Sequence, residues 1–220
     1  MSALLEADSL YRFFHSGDDE TLALRGVSLE LHPGEMVAVT GPSGSGKSTL
    51  LSCLAGLDEP DGGAVRIAGE RLSRRTEAHR ARTRAAHIGL LFQHANLVGH
   101  LSVADNVRLA QRLLGREDPR QRDQVLARCG IGDRAGARPA QLSGGELARA
   151  GLAVALANDA RVVLADEPTG ELDDHTAGLV VGLLADRARE GAAVLVVTHN
   201  DALARACDRE IRLSDGRIAA

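Results

Sequence analysis

Lysine is almost missing from this chain. Of its 26 basic residues, 25 are arginine, and the one lysine is Lys47. Aromatic side chains are nearly as scarce, with one Tyr, three Phe and no Trp. That scarcity excludes a nucleic-acid surface built from basic residues interleaved with stacking rings. Cys53, Cys129 and Cys207 are an odd number, far apart and without CxxC spacing. They form no disulfide framework and read as small buried residues in a reducing compartment. No apolar run approaches the roughly 20 residues that a membrane helix needs. The opening MSALLEADSL carries Glu6 and Asp8 within its short apolar run, which argues against a secretion signal and predicts a chain that stays in the cytoplasm. A formal charge of −4 gives no net pull toward nucleic acid or anionic lipid. Repeats, low-complexity segments and extended linkers are also missing.

What is present suits one domain, with or without an insertion. The 220 residues are 44% hydrophobic and 25% charged, the balance of a globular protein with a real core. GVSLEL (26–31) alternates in polarity, and MVAVT (36–40) is a compact apolar run, so both read as strands. GGAVRIAG (62–69) reads as a turn and strand. HIGLLF (87–92), RVVLAD (161–166) and AVLVVT (193–198) suit buried parallel strands. Helical spacing fills 47–57, 102–115, 119–129, 144–157 and 174–189. Strands alternating with helices predict an α/β fold around a largely parallel sheet. The stretch 94–158 breaks that rhythm and is read as helical throughout, a subdomain inserted between two sheet strands.

The position of the single lysine is informative. GPSGSGKS, residues 41–48, fits G-x-x-x-x-G-K-[ST] and sits between a strand ending at Thr40 and a helix starting near Lys47. Glycines let successive N–H groups point inward at phosphate oxygens, and the following helix start adds partial positive charge. Lysine brings a compact charge on a thin stem, where a planar guanidinium would be too broad. Ser48 offers a hydroxyl to Mg²⁺. The alternative is a glycine turn with a surface lysine.

Three further stretches gain meaning beside that loop. RVVLADEP ends an apolar strand in Asp166 and Glu167. Asp166 can hold Mg²⁺ through water, and Glu167 can orient and deprotonate an attacking water. LSGGE (142–146) opens a helix with Ser143, Gly144 and Gly145, a second anion-binding helix start or else an ordinary Ser cap. VVTHN ends a buried strand in His199, which should emerge at the same ligand-binding sheet edge.

Taken together, these stretches resemble the ATPases of the ATP-binding-cassette family along nearly the whole chain. GPSGSGKST, from Gly41, Pro42, Ser43, Gly44, Ser45 and Gly46 to Lys47, Ser48 and Thr49, is similar to the Walker A loop. LLFQ with Gln93 resembles the Q-loop, and LSGGE, including Glu146, the family signature. VVLADE resembles Walker B, ELDD around Asp173 the D-loop, and His199 the H-loop. The resemblance implies a RecA-like P-loop core, an antiparallel β subdomain near the N-terminus, and a helical subdomain. It also implies ATP and Mg²⁺ as cofactors, with Gln93 near the metal and the attacking water and His199 near the γ-phosphate. Two chains would pack head to tail, each ATP held between one Walker A loop and the other chain's signature loop. AGLDEPDGGAV and IGLLFQHANLVGHLSVADNV look most like the lipoprotein-release and macrolide-efflux group, with the cell-division ATPase close behind.

Some positions depart from the family pattern. Glu146 stands where Gln is commoner, LAR (147–149) replaces QQR, Val154 takes the place of a frequent Arg, and Asn200 replaces the Asp after the H-loop His. None removes a catalytic group, but they bear on signature-helix docking and turnover. Three of the four aromatics cluster at Tyr11, Phe13 and Phe14. Strand alternation predicts Tyr11 and Phe13 on one face and Phe14 on the other. Alignment with the family's A-loop puts Phe14 at the adenine-stacking position; core packing of all three is the alternative. RLSRRTEAHRARTRAA (71–86) holds six arginines and reads as a solvated helix face, not a nucleic-acid site. The expected protein is an ATPase subunit on the inner face of the cell membrane, dimerising on ATP and driving a permease. The alternative role is the same engine in envelope signalling or cell division.

Overall fold

The computed structural model describes residues 2–16, 19–92, 97–170 and 172–219. Two sheets form its frame. The first is antiparallel and contains β1 (Leu5–Ser16), β2 (Asp19–Leu31), β4 (Gly62–Ile67) and β5 (Glu70–Arg71), in the order β2-β1-β4-β5. The second has six strands in the order β10-β9-β3-β8-β7-β6. Its strands are β3 (Met36–Thr40), β6 (Ile88–Leu91), β7 (Val162–Asp166), β8 (Ala193–Val197), β9 (Arg209–Ser214) and β10 (Arg217–Ile218). All its pairings are parallel except the closing β9–β10 hairpin.

The central strands are apolar up to their C-terminal ends because both faces are covered. Val162 and Leu164 of β7, with Ala193, Leu195 and Val197 of β8, join one core shared with the antiparallel sheet and with α1 (Lys47–Leu54). The alternate residues, Val163 and Ala165 with Val194 and Val196, join a second core. That core is closed by α3 (Val103–Arg112), α4 (Pro119–Arg128), α5 (Gly144–Ala155) and α6 (Asp174–Arg189). Side chains two apart share a face, so one strand feeds both layers. Leu164 and Leu195 are fully buried; cutting either to Ala should cost about 2–5 kcal/mol through lost contacts and the cavity left.

The helices begin where short polar side chains can take up unpaired N–H groups. Ser102 caps α3, Asp118 caps α4 with Pro119 in its first turn, and Asp173 caps α6. Thr76 caps α2 (Glu77–His87), which carries much of the arginine-rich run. There Arg80 pairs with Glu59 at 2.7 Å and Glu77 at 2.8 Å, and Arg84 pairs with Glu77 at 3.0 Å. The stretch 94–158, read as helical throughout, carries α3, α4 and α5 where helical spacing predicts them, at 102–115, 119–129 and 144–157. Glycines in the left-handed region at Gly115 (φ 68°) and Gly130 (φ 61°) interrupt it. Two 3-10 turns, Gly132–Arg134 and Pro139–Gln141, lie between α4 and α5. Residues 92–161 nevertheless form one crossover, since β6 and β7 pair side by side, Ile88 opposite Val162.

Burial pushes the thiols of Cys53 and Cys129 up to about 12, and that of half-buried Cys207 up to about 11. At such values they are inert small side chains. No helix among the described residues is long and apolar enough to cross a membrane.

Candidate active site

Gly41 and Gly46 shape the loop between β3 and α1. Gly41 has φ 145°, and a Cβ there would lie 2.0 Å from the Leu213 carbonyl oxygen. Gly46 has φ 99°, and a Cβ there would lie 2.4 Å from the Ala23 carbonyl oxygen. Both neighbours are backbone, so only glycine lets the loop nest against β2 and the C-terminal hairpin. Gly46 is also the N-cap of α1 and supplies no side-chain acceptor, so first-turn N–H groups stay available. The Lys47 ammonium curls over its own loop, donating to the Gly41 carbonyl at 2.8 Å and the Pro42 carbonyl at 2.9 Å.

Adjacent ends of β7 and β8 supply the acids and the imidazole. Register places Asp166 opposite Val197, so the residues just beyond the strands meet. Burial raises the Asp166 carboxyl above its ordinary value; a hydrogen bond from Ser48 opposes this, Glu167 reinforces it and Lys47 opposes it. Glu167 has φ 45°, a left-handed conformation rare for a side-chain-bearing residue. Its Oε1 accepts the His199 backbone N–H at 2.9 Å and lies 2.7 Å from His199 Nδ1. Thr198 Oγ1, fully buried, donates to Oε2 at 3.1 Å and accepts the Asn200 N–H at 3.0 Å. Because a carboxylate only accepts, the imidazole proton belongs on Nδ1, leaving Nε2 to face outward.

A cleft of about 600 Å³ gathers these groups, within the range of small-molecule sites. Of the candidate residues, it is lined by Phe14, Gly41, Ser43, Gly44, Gly46, Lys47, Ser48, Thr49, Asp166, Glu167 and His199. Pro42 and Ser45 are not in its wall; Ser45 is buried, and its carbonyl accepts the Gly216 N–H at 3.1 Å. Gln93 lies outside the described residues. Thr198, Arg25 and the Asp215–Gly216 turn were not among the candidates. Arg25, Asp215 and Gly216 line the cleft, and Thr198 grips Glu167 from behind. Thr198 precedes the conspicuous His199 in VVTHN, but only the folded contact reveals its hydroxyl as a partner.

The three clustered aromatics are not core residues. Tyr11 and Phe14 are exposed and Phe13 is half-buried. A register irregularity falls between Arg12 and Phe13, so simple alternation does not run through the cluster. Tyr11 packs over two glycines, its hydroxyl 3.0 Å from where a Gly26 Cβ would lie and its ring over Gly62. Phe14 faces the cleft.

The remaining candidates form a second group, away from the cleft walls. Ser143 caps α5, accepting the Glu146 N–H at 3.3 Å, while the Glu146 carboxylate accepts the Ser143 N–H at 2.8 Å. These bonds hold the Glu146 carboxyl below the usual range, and Arg134 pairs with it at 3.1 Å. Asp173 accepts the Thr176 N–H at 3.0 Å and the Thr176 hydroxyl at 2.7 Å. Gly145 abuts Thr176, whose Cγ2 lies 3.0 Å from where a Gly145 Cβ would be. The signature loop and Asp173 are thus held together at neighbouring helix starts.

A β-strand, phosphate-type loop and helix, facing acids at the ends of parallel strands, with an antiparallel sheet alongside, make this an ATPase cassette. The sequence profile of the family described as ABC transporter matches residues 24–170, and the chain belongs to that family. It is 42% identical over 223 residues to the macrolide export ATP-binding/permease protein MacB 1 of Yersinia pestis bv. Antiqua (strain Antiqua), covering 100% of this chain and 34% of that protein. Identity to MacB of Salmonella choleraesuis (strain SC-B67) is 40% over 221 residues, covering 99% of this chain and 34% of that protein. The chain therefore spans about a third of the length of these curated relatives. A dimeric, post-hydrolysis structure of the ATP-binding cassette MJ0796 bound to ADP and Pi superposes with a TM-score of 0.93 at 33% identity, covering 98% of this chain and 97% of that one. A second dimeric MJ0796 structure, a bacterial ABC transporter cassette, gives a TM-score of 0.91 at 33% identity, covering 98% and 97%.

Proposed function

We propose that residues 1–220 form one cassette, with a helical subdomain at about 94–158, that binds and hydrolyses ATP to drive a membrane export permease. The reading rests above all on Glu167, whose carboxylate is gripped by His199 and Thr198 at the mouth of the cleft that Lys47 enters. In this reading the loop N–H groups and Lys47 bind the phosphates, Phe14 stacks the adenine, and Glu167 takes the proton from the attacking water. His199 Nε2 faces the γ-phosphate, and Gln93 approaches the metal and the attacking water. Ser48 and the half-buried Asp166 fit Mg²⁺, because a hard cation suits two oxygen donors and would offset the burial of the acid. Mg²⁺ would neutralise phosphate charge, taking its other ligands from phosphate and water.

The second cluster suits a site shared between two copies. Ser143, Gly144, Gly145 and Glu146, with Asp173 behind them, would close over ATP bound to the partner copy, each contact occurring twice about a two-fold axis. Dimeric MJ0796 supports that arrangement, and identity to the MacB macrolide exporters supports an export permease and a place on the inner face of the membrane. Sizing chromatography with saturating Mg-ATP tests it. Glu167→Gln, which keeps shape but removes the base, should slow hydrolysis by about 10²–10⁴-fold and shift the chain from monomer to dimer with ATP but not with ADP. Adding Ser143→Arg should dissolve that dimer while nucleotide still binds. A strong dimer persisting in the double variant would sink the shared site.

A further inference from the structure

The platform that presents Phe14 is tied, through Arg12, to the segment that follows the C-terminal end of α1. Arg12 lies two positions before Phe14 on β1, and its guanidinium carbon sits 4.7 Å from the centre of the Phe14 ring. The guanidinium is itself clamped. Nε and Nη2 donate to the two oxygens of Asp58 at 2.8 and 2.9 Å, and Nη1 donates to Asp61 at 3.0 Å. Asp61 also accepts the Phe13 N–H at 2.8 Å, and its own N–H donates to the Tyr11 carbonyl at 2.9 Å. Asp58 and Asp61 lie just past the C-terminal end of α1, the helix whose N-terminal end carries Lys47 and Ser48.

We infer that Arg12 is a positioning residue for nucleotide binding: it backs one face of Phe14, leaves the other face open to the cleft, and fixes the ring relative to α1. The inference rests on the adenine-stacking role proposed above for Phe14. Phe14 is 42% exposed, and an exposed ring on a bulged strand end is otherwise free to turn. Ordering it on binding costs affinity. A planar cation held by two carboxylates removes that freedom in advance and adds a cation–π contact. Because Asp58 and Asp61 follow α1 in the chain, the base platform is anchored to the segment beyond the helix whose first turn carries Lys47 and Ser48.

Calorimetric titration of the full chain with ATP and with inorganic tripolyphosphate tests this, with melting curves recorded for every variant. Phe14→Ala should weaken ATP binding about tenfold or more and leave tripolyphosphate binding unchanged. Arg12→Ala should weaken ATP binding about three- to tenfold, again without effect on tripolyphosphate. The double variant should bind ATP no worse than Phe14→Ala alone, since the two residues act as a unit. Arg12→Lys, which keeps the charge but loses the flat fork, should fall between the original chain and Arg12→Ala and guards against a folding failure. Additive losses in the double variant, or equal weakening of tripolyphosphate, would show that Arg12 merely supports the fold and would overturn the inference. Full ATP affinity in Arg12→Ala alongside a weakened Phe14→Ala would also overturn it. Unchanged ATP affinity in Phe14→Ala would overturn the adenine reading and the inference with it.

Discussion

Two glycine-flanked helix starts carry the two stretches read as anion-binding, and they are built in opposite ways. The α1 start is capped by a left-handed Gly46 with no side-chain acceptor and carries Lys47. The α5 start is closed on itself: Ser143 and Glu146 exchange hydrogen bonds, and Arg134 balances the carboxylate. The first has no side-chain cap over its first-turn N–H groups and holds the Lys47 charge against its own loop carbonyls, whereas the second satisfies part of its own demand. Under the proposed function, a polyanion binds α1 in a single chain and engages α5 only when already held by another copy. The difference comes from which residue occupies the cap.

The largest effect that would break this comparison falls at Lys47. Lys47→Arg should weaken ATP binding to the isolated chain by about ten- to a hundredfold, the loss of a charge-assisted contact, whereas Ser143→Arg should leave monomer affinity unchanged in the same titration. Next come the glycines. Gly46→Ala meets the Ala23 carbonyl and a left-handed φ, so it should destabilise by about 2–3 kcal/mol; Gly144 faces open space, and Gly144→Ala should be neutral or stabilising by up to about 1 kcal/mol. Melting temperatures decide between them. Ser143→Ala removes the cap of α5 and should cost about 1 kcal/mol, lowering the melting temperature by about 2–4 °C. The smallest effect is at Glu146. Its hydrogen bonds from Ser143 lower its folded pKa, so its contribution is present above the unfolded value of about 4.3 and is lost as pH falls through the lower folded value. Glu146→Gln should lack that acid-side loss, which melting curves taken between neutral pH and about pH 3 would reveal.

Short-range features were legible before the fold. Gly41, Gly46 and Lys47 belong to one loop whose spacing encodes its shape, and the continuous apolar runs of β7 and β8 follow from burial on both faces. β1 was legible only around Tyr11–Phe14, because Ser9 (φ 49°) and the irregularity at Arg12/Phe13 break the two-residue alternation. The Glu167–His199 bond joins residues 32 apart and depends on which strands pair in register, which periodicity does not reveal. Two departures from the family pattern become intelligible only in place. Asn200 caps α7 (Asp201–Arg205), its Oδ1 accepting the Ala202 and Leu203 N–H groups at 2.8 and 3.3 Å, as an Asp there could. Glu146 completes a capping box that Gln could also complete.

The lone lysine has a practical consequence. A lysine-specific protease has a single cleavage point within these 220 residues, the bond after Lys47, at the first residue of α1. Cutting there requires the first turn of that helix to open, so the rate at which the chain splits into residues 1–47 and 48–220 measures local unfolding of the phosphate loop. Among the side chains of these 220 residues, amine-directed labelling is confined in the same way, because the one lysine lines the cleft. Protection of Lys47 from the amine reagent thus reports on cleft occupancy, with no other lysine among these 220 residues to compete.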